Sequence, residues 1–464
     1  MSKRFAAFGL CTILSGSPAW AQAPPPPPVV QPAPPSTASA PASPPPLVSA
    51  SPASPPVPAA PPSAGETAPT LPLSPSPSPT PGQGVAPTAA GTSAPPPEPD
   101  DLTMTFRASD METFAQRSAR DVAASSGHAH YALNLFGDVG GGVVGGLGVE
   151  TKPTFGIGTF DLLFTGDLDH SITMTAETAV EVGQDNQIGI DLERLHVRWS
   201  SHGFWIEAGR SHTDLGYWNL AYHHGKWLQP TIARPRIVQF EDSGGLLPIH
   251  WIGVQAGYRA NLGGDVALTT SVAIGNARGH IVDDLQLGFD SHAPKQVYGK
   301  FEVKGLLLRD LRLGVSGVFG YINPESAAVR PALPDAGITE EIGNVYVAHA
   351  SYPVTFIAEG YVIVHRGGGV TWTTYDAFAV AGYSFGVVSP YVSAERTVMT
   401  GGSDPFFVPD PTTPTLELDA YDGIVGVRFD VSTWSAVKAE YRIDRFVDRD
   451  QTVHTGYVSW QFGI

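Results

Sequence analysis

The side chains with the clearest capacity for chemistry lie in one polar and aromatic stretch, residues 211–249. Imidazole nitrogens and carboxylate oxygens are usual protein ligands of divalent transition metals, and this stretch contains both. The residues concerned are His212, His223, His224, Glu241 and Asp242. Histidines that are neighbours within one loop lack the spaced ligand from a second element that a metal motif requires. We therefore expect no metal and no other cofactor, and we interpret these histidines as polar loop residues.

Catalysis has no recognisable basis in this sequence. A covalent mechanism needs a nucleophile or an activated water beside a base. A G-x-S-x-G pattern occurs at residues 382–386, but it lies between two segments with strand alternation and not at the strand-to-helix turn that an exposed nucleophile of this kind requires. No G-x-x-x-x-G-K-[ST] phosphate loop occurs in the chain. We therefore predict that the protein is not an enzyme. The net charge of −17 at pH 7 argues against nucleic acid as a partner, because a phosphate backbone is bound by positive charge.

The amino terminus has the pattern of a secretory leader. A basic start precedes a short apolar run, and Ala19-Trp20-Ala21 supplies the small-x-small pattern of a signal-peptidase site. The run is much shorter than the roughly 20 apolar residues that a membrane-spanning helix requires. We predict that residues 1–21 are a signal peptide.

A proline-rich segment follows the leader. Between residues 24 and 100 lie 29 of the 44 prolines, interleaved with alanine, serine and threonine. Such a composition cannot bury enough apolar surface to offset its ordering entropy. We therefore predict that residues 22–100 are a disordered spacer, joined to the rest of the chain by a candidate short helix at residues 101–126.

Residues 127–464 alternate between apolar and polar side chains in about sixteen segments. A period of two is typical of β-strands whose two faces meet different environments. The last eleven residues alternate in this way, and so does the segment 434–445. In the latter, one face carries Val437, Ala439, Tyr441 and Ile443, and the other carries Lys438, Glu440, Arg442 and Asp444.

The links between these segments alternate in length. Short links such as 200–203 separate longer excursions near 140–155, 183–189, 211–249, 276–296, 321–342, 366–372, 399–417 and 446–452. Short turns at one end and long loops at the other are typical of a transmembrane barrel, whose closure leaves no unpaired edge in hydrocarbon. We predict an all-β fold, a transmembrane antiparallel β-barrel of about 16 strands. Fourteen or eighteen strands remain alternatives, because strand boundaries from pattern are uncertain by roughly two to four residues.

In strand number, loop alternation and carboxyl-terminal strand, residues 127–464 resemble the Gram-negative outer-membrane porins. The resemblance implies a passive diffusion channel for small hydrophilic solutes or ions, a homotrimer, and contact with outer-membrane lipid and lipopolysaccharide. It also places the spacer in the periplasm, where peptidoglycan is a candidate partner. The alternative function is a structural anchor that tethers the envelope to the cell wall through the spacer, which would have a plugged lumen.

Porins fold the loop after the fifth strand into the lumen, and residues 211–249 occupy that position here. The aromatic density of this loop favours packing inside the barrel, with an ordered extracellular cap as the alternative. The resemblance implies a constriction in which acidic loop residues face basic strand residues. The candidates are Asp214, Glu241 and Asp242 on the loop, and Arg194, Arg198, Lys300, Lys304, Arg312, Arg428, Lys438 and Arg442 on the strands. Ion selectivity stays open, because the loop also carries basic residues.

Overall fold

A computed structural model describes the carboxyl-terminal three quarters of the chain. The described residues are 130–146, 149–182, 188–223, 225–240, 245–279, 295–323, 337–402, 404–407, 419–447 and 449–464. The predicted signal peptide, spacer and helical linker lie outside these residues. So do three of the loop residues singled out above, which are His224, Glu241 and Asp242.

Within the described residues, sixteen antiparallel strands form one closed barrel, which confirms the predicted fold and strand number. The strands are β1 (His130–Gly146), β2 (Val149–Asp167), β3 (Ile172–Val182), β4 (Ile188–Ser201), β5 (Phe204–His212), β6 (His250–Gly263), β7 (Val266–Asn276), β8 (Lys295–Lys304), β9 (Arg312–Ile322), β10 (Ile338–Ser351), β11 (Val354–Gly367), β12 (Val370–Tyr383), β13 (Val388–Thr400), β14 (Ala420–Ser432), β15 (Ser435–Phe446) and β16 (Gln451–Gly463). Each strand pairs with its neighbours in sequence, and β1 pairs with β16 to close the sheet.

The two faces of the sheet differ as the alternation predicts. On β15, Tyr441 and Ile443 are exposed on the outer surface, whereas Lys438 and Asp444 are buried. On β16, Trp460 is likewise exposed. The outer wall is therefore apolar and the inner wall polar, which is the arrangement that a barrel surrounded by hydrocarbon requires.

The connection between β1 and β2 differs from the prediction. The pattern predicts a long excursion at 140–155, but only residues 147–148 separate the two strands, and Gly146 pairs with Val149. The excursion predicted at 366–372 is likewise wrong, because Gly367 of β11 pairs with Val370 of β12 across a two-residue turn. Glycines at positions 140–142 hide the alternation in the sequence. Two of them, Gly140 and Gly142, are needed in the structure because the ring of Tyr457 lies over them, where a Cβ atom would overlap it.

The long connection between β5 and β6 is folded against the inner wall of the barrel. It contains the short helix α1 (Trp218–Ala221) and a 3₁₀ turn (Arg236–Val238). Its apolar residues form a core with residues of β6 to β12. Trp218, for example, is fully buried and lies edge-to-face against Phe378 of β12, with ring centroids 5.9 Å apart. No helix in the described part of the chain is long and apolar enough to cross a membrane.

Candidate functional site in the barrel lumen

Glutamates on three alternate strands of the barrel wall hold the backbone of the loop. Each carboxylate accepts hydrogen bonds from the N–H groups of two consecutive loop residues. The pairs are Tyr217 and Trp218 on Glu359 of β11, Arg236 and Ile237 on Glu395 of β13, and Ile232 and Ala233 on Glu440 of β15. Hydrogen bonds to a charged acceptor are stronger than neutral ones. They satisfy buried backbone donors that have no sheet partner, so they fix the loop in the lumen.

Two of the predicted constriction bases bind the same loop through its carbonyl oxygens. The buried ammonium of Lys438 donates to the carbonyl oxygens of Lys226 and Gln229 at 2.7 and 2.5 Å, and lies 3.3 Å from that of Thr231. Arg428 donates to the carbonyl oxygen of Trp227. The wall thus presents acids to the N–H groups of the loop and bases to its C=O groups.

The other predicted bases pair with carboxylates of the strands and short turns, not of the loop. The pairs are Arg194–Glu177 at 2.6 Å, Arg198–Glu207 at 2.6 Å, Arg312–Glu302 at 2.6 Å, Lys300–Glu302 at 3.8 Å, Lys304–Asp310 at 3.2 Å and Arg442–Asp422 at 3.2 Å. Arg194, Arg198 and Arg312 keep 20, 23 and 23% of their side-chain surface exposed. These ion pairs therefore border accessible space inside the barrel.

Asp214 is the predicted acidic loop residue that the structure locates. Its carboxylate accepts hydrogen bonds from the side chains of Gln255 on β6 and Ser271 on β7. These partners are neutral, so the described contacts bring Asp214 to polar wall residues and not to the predicted basic ones. The arrangement in which acidic loop residues face basic wall residues across a constriction therefore stays a prediction.

A second polar network lies at the long-loop end of the barrel, and the sequence patterns did not point to it. His365 of β11 contacts Asp404 at 2.7 Å through Nδ1 and Glu340 of β10 at 3.1 Å through Nε2. Glu340 also pairs with Arg278 at 2.8 Å and accepts a hydrogen bond from Gln296. Because Arg278 and Asp404 belong to connections, this network joins two of the long connections to the wall.

Three histidines and a glutamate converge where the β5–β6 loop leaves the wall. His212 ends β5, His250 begins β6, and these two residues are directly paired across the strands. His223 follows α1, and its ring stacks on His212 with the centroids 3.5 Å apart. Glu193 comes from β4. One ligand-type atom of each residue lies within 4.8 Å of those of the others, and all four residues are buried.

Glu193 joins this cluster through an irregularity in β4. Glu177 of β3 pairs with Arg194 and the next residue, Thr178, pairs with Leu192, so Glu193 is an extra residue in the ladder. Such a β-bulge turns two successive side chains toward the same face. Glu193 and Arg194 therefore both face the lumen, although a strict alternation would place Glu193 on the outer surface.

No protein-family model matches the sequence, and no curated protein is significantly similar to it. Among solved structures, the barrel is similar to OprB of Pseudomonas putida, with 9% identity, a TM-score of 0.50, and coverage of 75% of this chain and 97% of that chain. An anion-selective porin from Comamonas acidovorans also matches, with 12% identity, a TM-score of 0.49 and coverage of 73% and 100%. The outer membrane channel DcaP of Acinetobacter baumannii matches with 10% identity, a TM-score of 0.48 and coverage of 73% and 99%. At such identities the similarity is one of fold.

Proposed function

We propose that this chain, which has the sixteen-stranded barrel fold of the outer-membrane porins, is a passive diffusion channel for small hydrophilic solutes or ions. The observation that carries the proposal is a closed barrel with an apolar outer wall and a charged inner wall, narrowed by an inward loop. Solutes would cross down their gradient with no covalent step.

The ion pairs of the inner wall would determine what passes. Arg198 with Glu207 and Arg312 with Glu302 place both signs of charge on neighbouring strands, and the two arginines are partly accessible. Paired lumenal charges favour polar and charged solutes over apolar ones, because lumenal charge and pore width control entry into such channels. The loop, held by wall glutamates, would set the width.

The setting of the channel is also part of the proposal. If the short turns face the periplasm, the start of β1 and the end of β16 both lie on the periplasmic side of the outer membrane. The proline-rich spacer would then extend into the periplasm, within reach of peptidoglycan. Lipid and lipopolysaccharide would surround the apolar wall, and three copies would assemble as a homotrimer.

One observation favours the alternative function, an anchor between the outer membrane and the cell wall. The loop and residues of β6 to β12 form an extensive apolar core, to which Phe406 and Phe407 of the β13–β14 connection contribute. If this core fills the whole cross-section of the lumen, no solute can pass through the barrel. The barrel would then serve to hold the spacer at the membrane.

Electrical recording from the full mature chain in a planar bilayer tests the two functions. A channel gives steady conductance steps, and its reversal potential under a salt gradient reports the selectivity. A correctly folded barrel that passes no current would overturn the channel proposal and support the anchor. Folding is checked on the same sample by circular dichroism, so that absence of current is not confused with absence of the barrel.

A further inference from the structure

We propose that Glu193, His212, His223 and His250 form a binding site for one divalent transition-metal ion of the Zn²⁺ class. The cluster lies inside the barrel at the origin of the β5–β6 loop, and its four residues come from β4, β5, the loop and β6. The proposal goes beyond the channel function, and it holds whether or not the barrel conducts.

Three of the side chains, those of Glu193, His223 and His250, lie at distances close to those of ligands around one ion. The fourth, His212, is stacked on His223, and its ring would have to turn toward the ion to become a ligand. His223 Nε2 lies 3.0 Å from His250 Nε2, and Glu193 Oε2 lies 2.6 Å from His250 Nε2 and 3.5 Å from His223 Nε2. In a tetrahedral zinc site with bonds of about 2.0–2.1 Å, ligand atoms are about 3.3 Å apart. Small side-chain adjustments around a central ion would therefore complete the site.

Asn219 fixes the tautomer of His223, and so determines which ring nitrogen is available as a metal ligand. The Asn219 amide nitrogen donates to the carbonyl oxygens of Thr213 and Ile249 at 2.9 and 3.2 Å. Its oxygen must then accept from His223 Nδ1, 2.9 Å away, so that Nδ1 carries the proton. The Nε2 atom of His223 consequently presents its lone pair to His250 and Glu193. An outer partner that fixes the tautomer in this way is typical of metal-binding histidines.

A metal ion accounts for this convergence better than hydrogen bonding alone. His250 Nε2 approaches two acceptors, His223 Nε2 and a Glu193 oxygen, and a single proton on it can make a strong hydrogen bond to only one of them. A cation among the atoms is attracted to every nitrogen lone pair and to the carboxylate at once. Three imidazoles with one carboxylate are a donor set suited to Zn²⁺ and to similar ions such as Co²⁺, Ni²⁺ and Cu²⁺.

Burial gives the proposed ion a structural role. All four residues of the cluster are buried, with exposed fractions of 7% for Glu193, 4% for His212, 3% for His223 and 1% for His250. A zinc ion with four protein ligands has no coordination position left for water. The ion would connect three adjacent strands to His223, which lies two residues after the end of α1. Arg234 supports that position because its guanidinium donates to the carbonyl oxygen of His223. Metal binding would therefore fix the beginning of the loop to the wall.

Metal analysis of the full chain, expressed without a polyhistidine tag, tests the proposal. We expect one Zn²⁺ per chain after dialysis, and with Co²⁺ we expect the visible absorption of a tetrahedral complex. His223→Ala and His250→Ala should abolish both signals. His170→Ala is the matched control, because His170 is an exposed turn histidine, and it should bind as the wild type does.

Two milder variants keep the test valid if the histidine variants fold poorly. Glu193→Gln preserves the shape of the side chain and removes its charge, and Asn219→Ala removes the partner that orients His223. We expect Asn219→Ala to weaken Zn²⁺ binding by about 10- to 100-fold, and Glu193→Gln to weaken it at least as much because a ligand is altered, with the barrel still folded by circular dichroism. A folded wild-type chain that binds neither Zn²⁺ nor Co²⁺ would overturn the proposal. So would stoichiometric binding that persists unchanged in folded Asn219→Ala and His223→Ala variants.

Discussion

The carboxylate of Glu359 on β11 accepts a 2.6 Å hydrogen bond from the backbone N–H of Trp218, although 141 residues separate them. A second oxygen of the same carboxylate accepts from the N–H of Tyr217 at 3.1 Å. Glu359 is 3% exposed, so water cannot replace it as the acceptor. This contact holds the start of α1 against the far wall of the barrel, and it is a direct place to test how the loop is fixed.

Glu359→Ala should destabilise the loop. Two buried N–H groups lose their acceptor, and a buried unsatisfied donor costs about 1–3 kcal/mol. For two donors we expect the free energy of unfolding, measured by denaturant titration, to decrease by about 2–6 kcal/mol. We also expect noisier or larger conductance steps if the barrel conducts. Glu341→Ala is the control, because Glu341 is half-exposed and pairs with the exposed Arg366. Equal effects of the two substitutions would contradict the role given to Glu359.

Lys438→Met should have a comparable effect on the middle of the loop. The ammonium group donates to carbonyl oxygens between Lys226 and Thr231, and methionine fills similar space without donating. The carbonyl groups left without a donor should lower the free energy of unfolding by about 1–3 kcal/mol. Lys304→Met is the matched substitution. Lys304 pairs with Asp310 where both are partly exposed, so its loss should cost about 1 kcal/mol or less. A smaller loss for Lys438→Met than for Lys304→Met would refute this argument.

Glu207→Gln should move the ion selectivity of the proposed channel toward anions. Glu207 is the partner of Arg198, 2.6 Å away, and its neutralisation leaves the positive charge of Arg198 uncompensated beside accessible space in the lumen. The reversal potential under a salt gradient measures the shift. Glu341→Gln again serves for comparison, because it removes the same charge outside the lumen. Unchanged selectivity would show that this ion pair does not face the permeation path, and a shift toward cations would contradict the charge argument itself.

Sequence pattern predicted the wall of the barrel well because each strand face has one environment. Alternation placed Lys438 and Arg442 inward and Tyr441 outward, since hydrocarbon and water select different side chains. Pattern did not reveal the partners of these bases. Lys438 binds loop carbonyls and Arg442 pairs with Asp422 of the adjacent strand, and both relations depend on register and on the path of the loop.

The histidine cluster shows a second limit of sequence reasoning. His212 and His223 stood out as loop histidines, whereas His250 belongs to the start of a strand, and Glu193 reaches the lumen through a bulge. A bulge shifts the side-chain alternation by one residue. The apolar positions do change phase across Glu193, from 188, 190 and 192 to 195, 197 and 199, but this change alone does not show that Glu193 meets the loop histidines. The sequence therefore supplied half of the cluster together with acids, Glu241 and Asp242, that lie outside the described residues.

Gly142→Ala should impair closure of the barrel. Gly142 lies on β1 at the junction with β16, and an added Cβ atom would overlap both the ring of Tyr457 and the carbonyl oxygen of Gly456. The last pairing that closes the sheet would then be strained, and unpaired strand edges are unfavourable in a lipid environment. We expect a lower yield of folded barrel in lipid vesicles, measured as the fraction that resists protease.

Gly456→Ala is the matched control on the opposite strand, because a Cβ atom there meets no atom within 4 Å. If both variants fold with the wild-type yield, the glycines of β1 are not needed for the β1–β16 junction. If both fail alike, the strand backbone and not the Tyr457 contact is responsible.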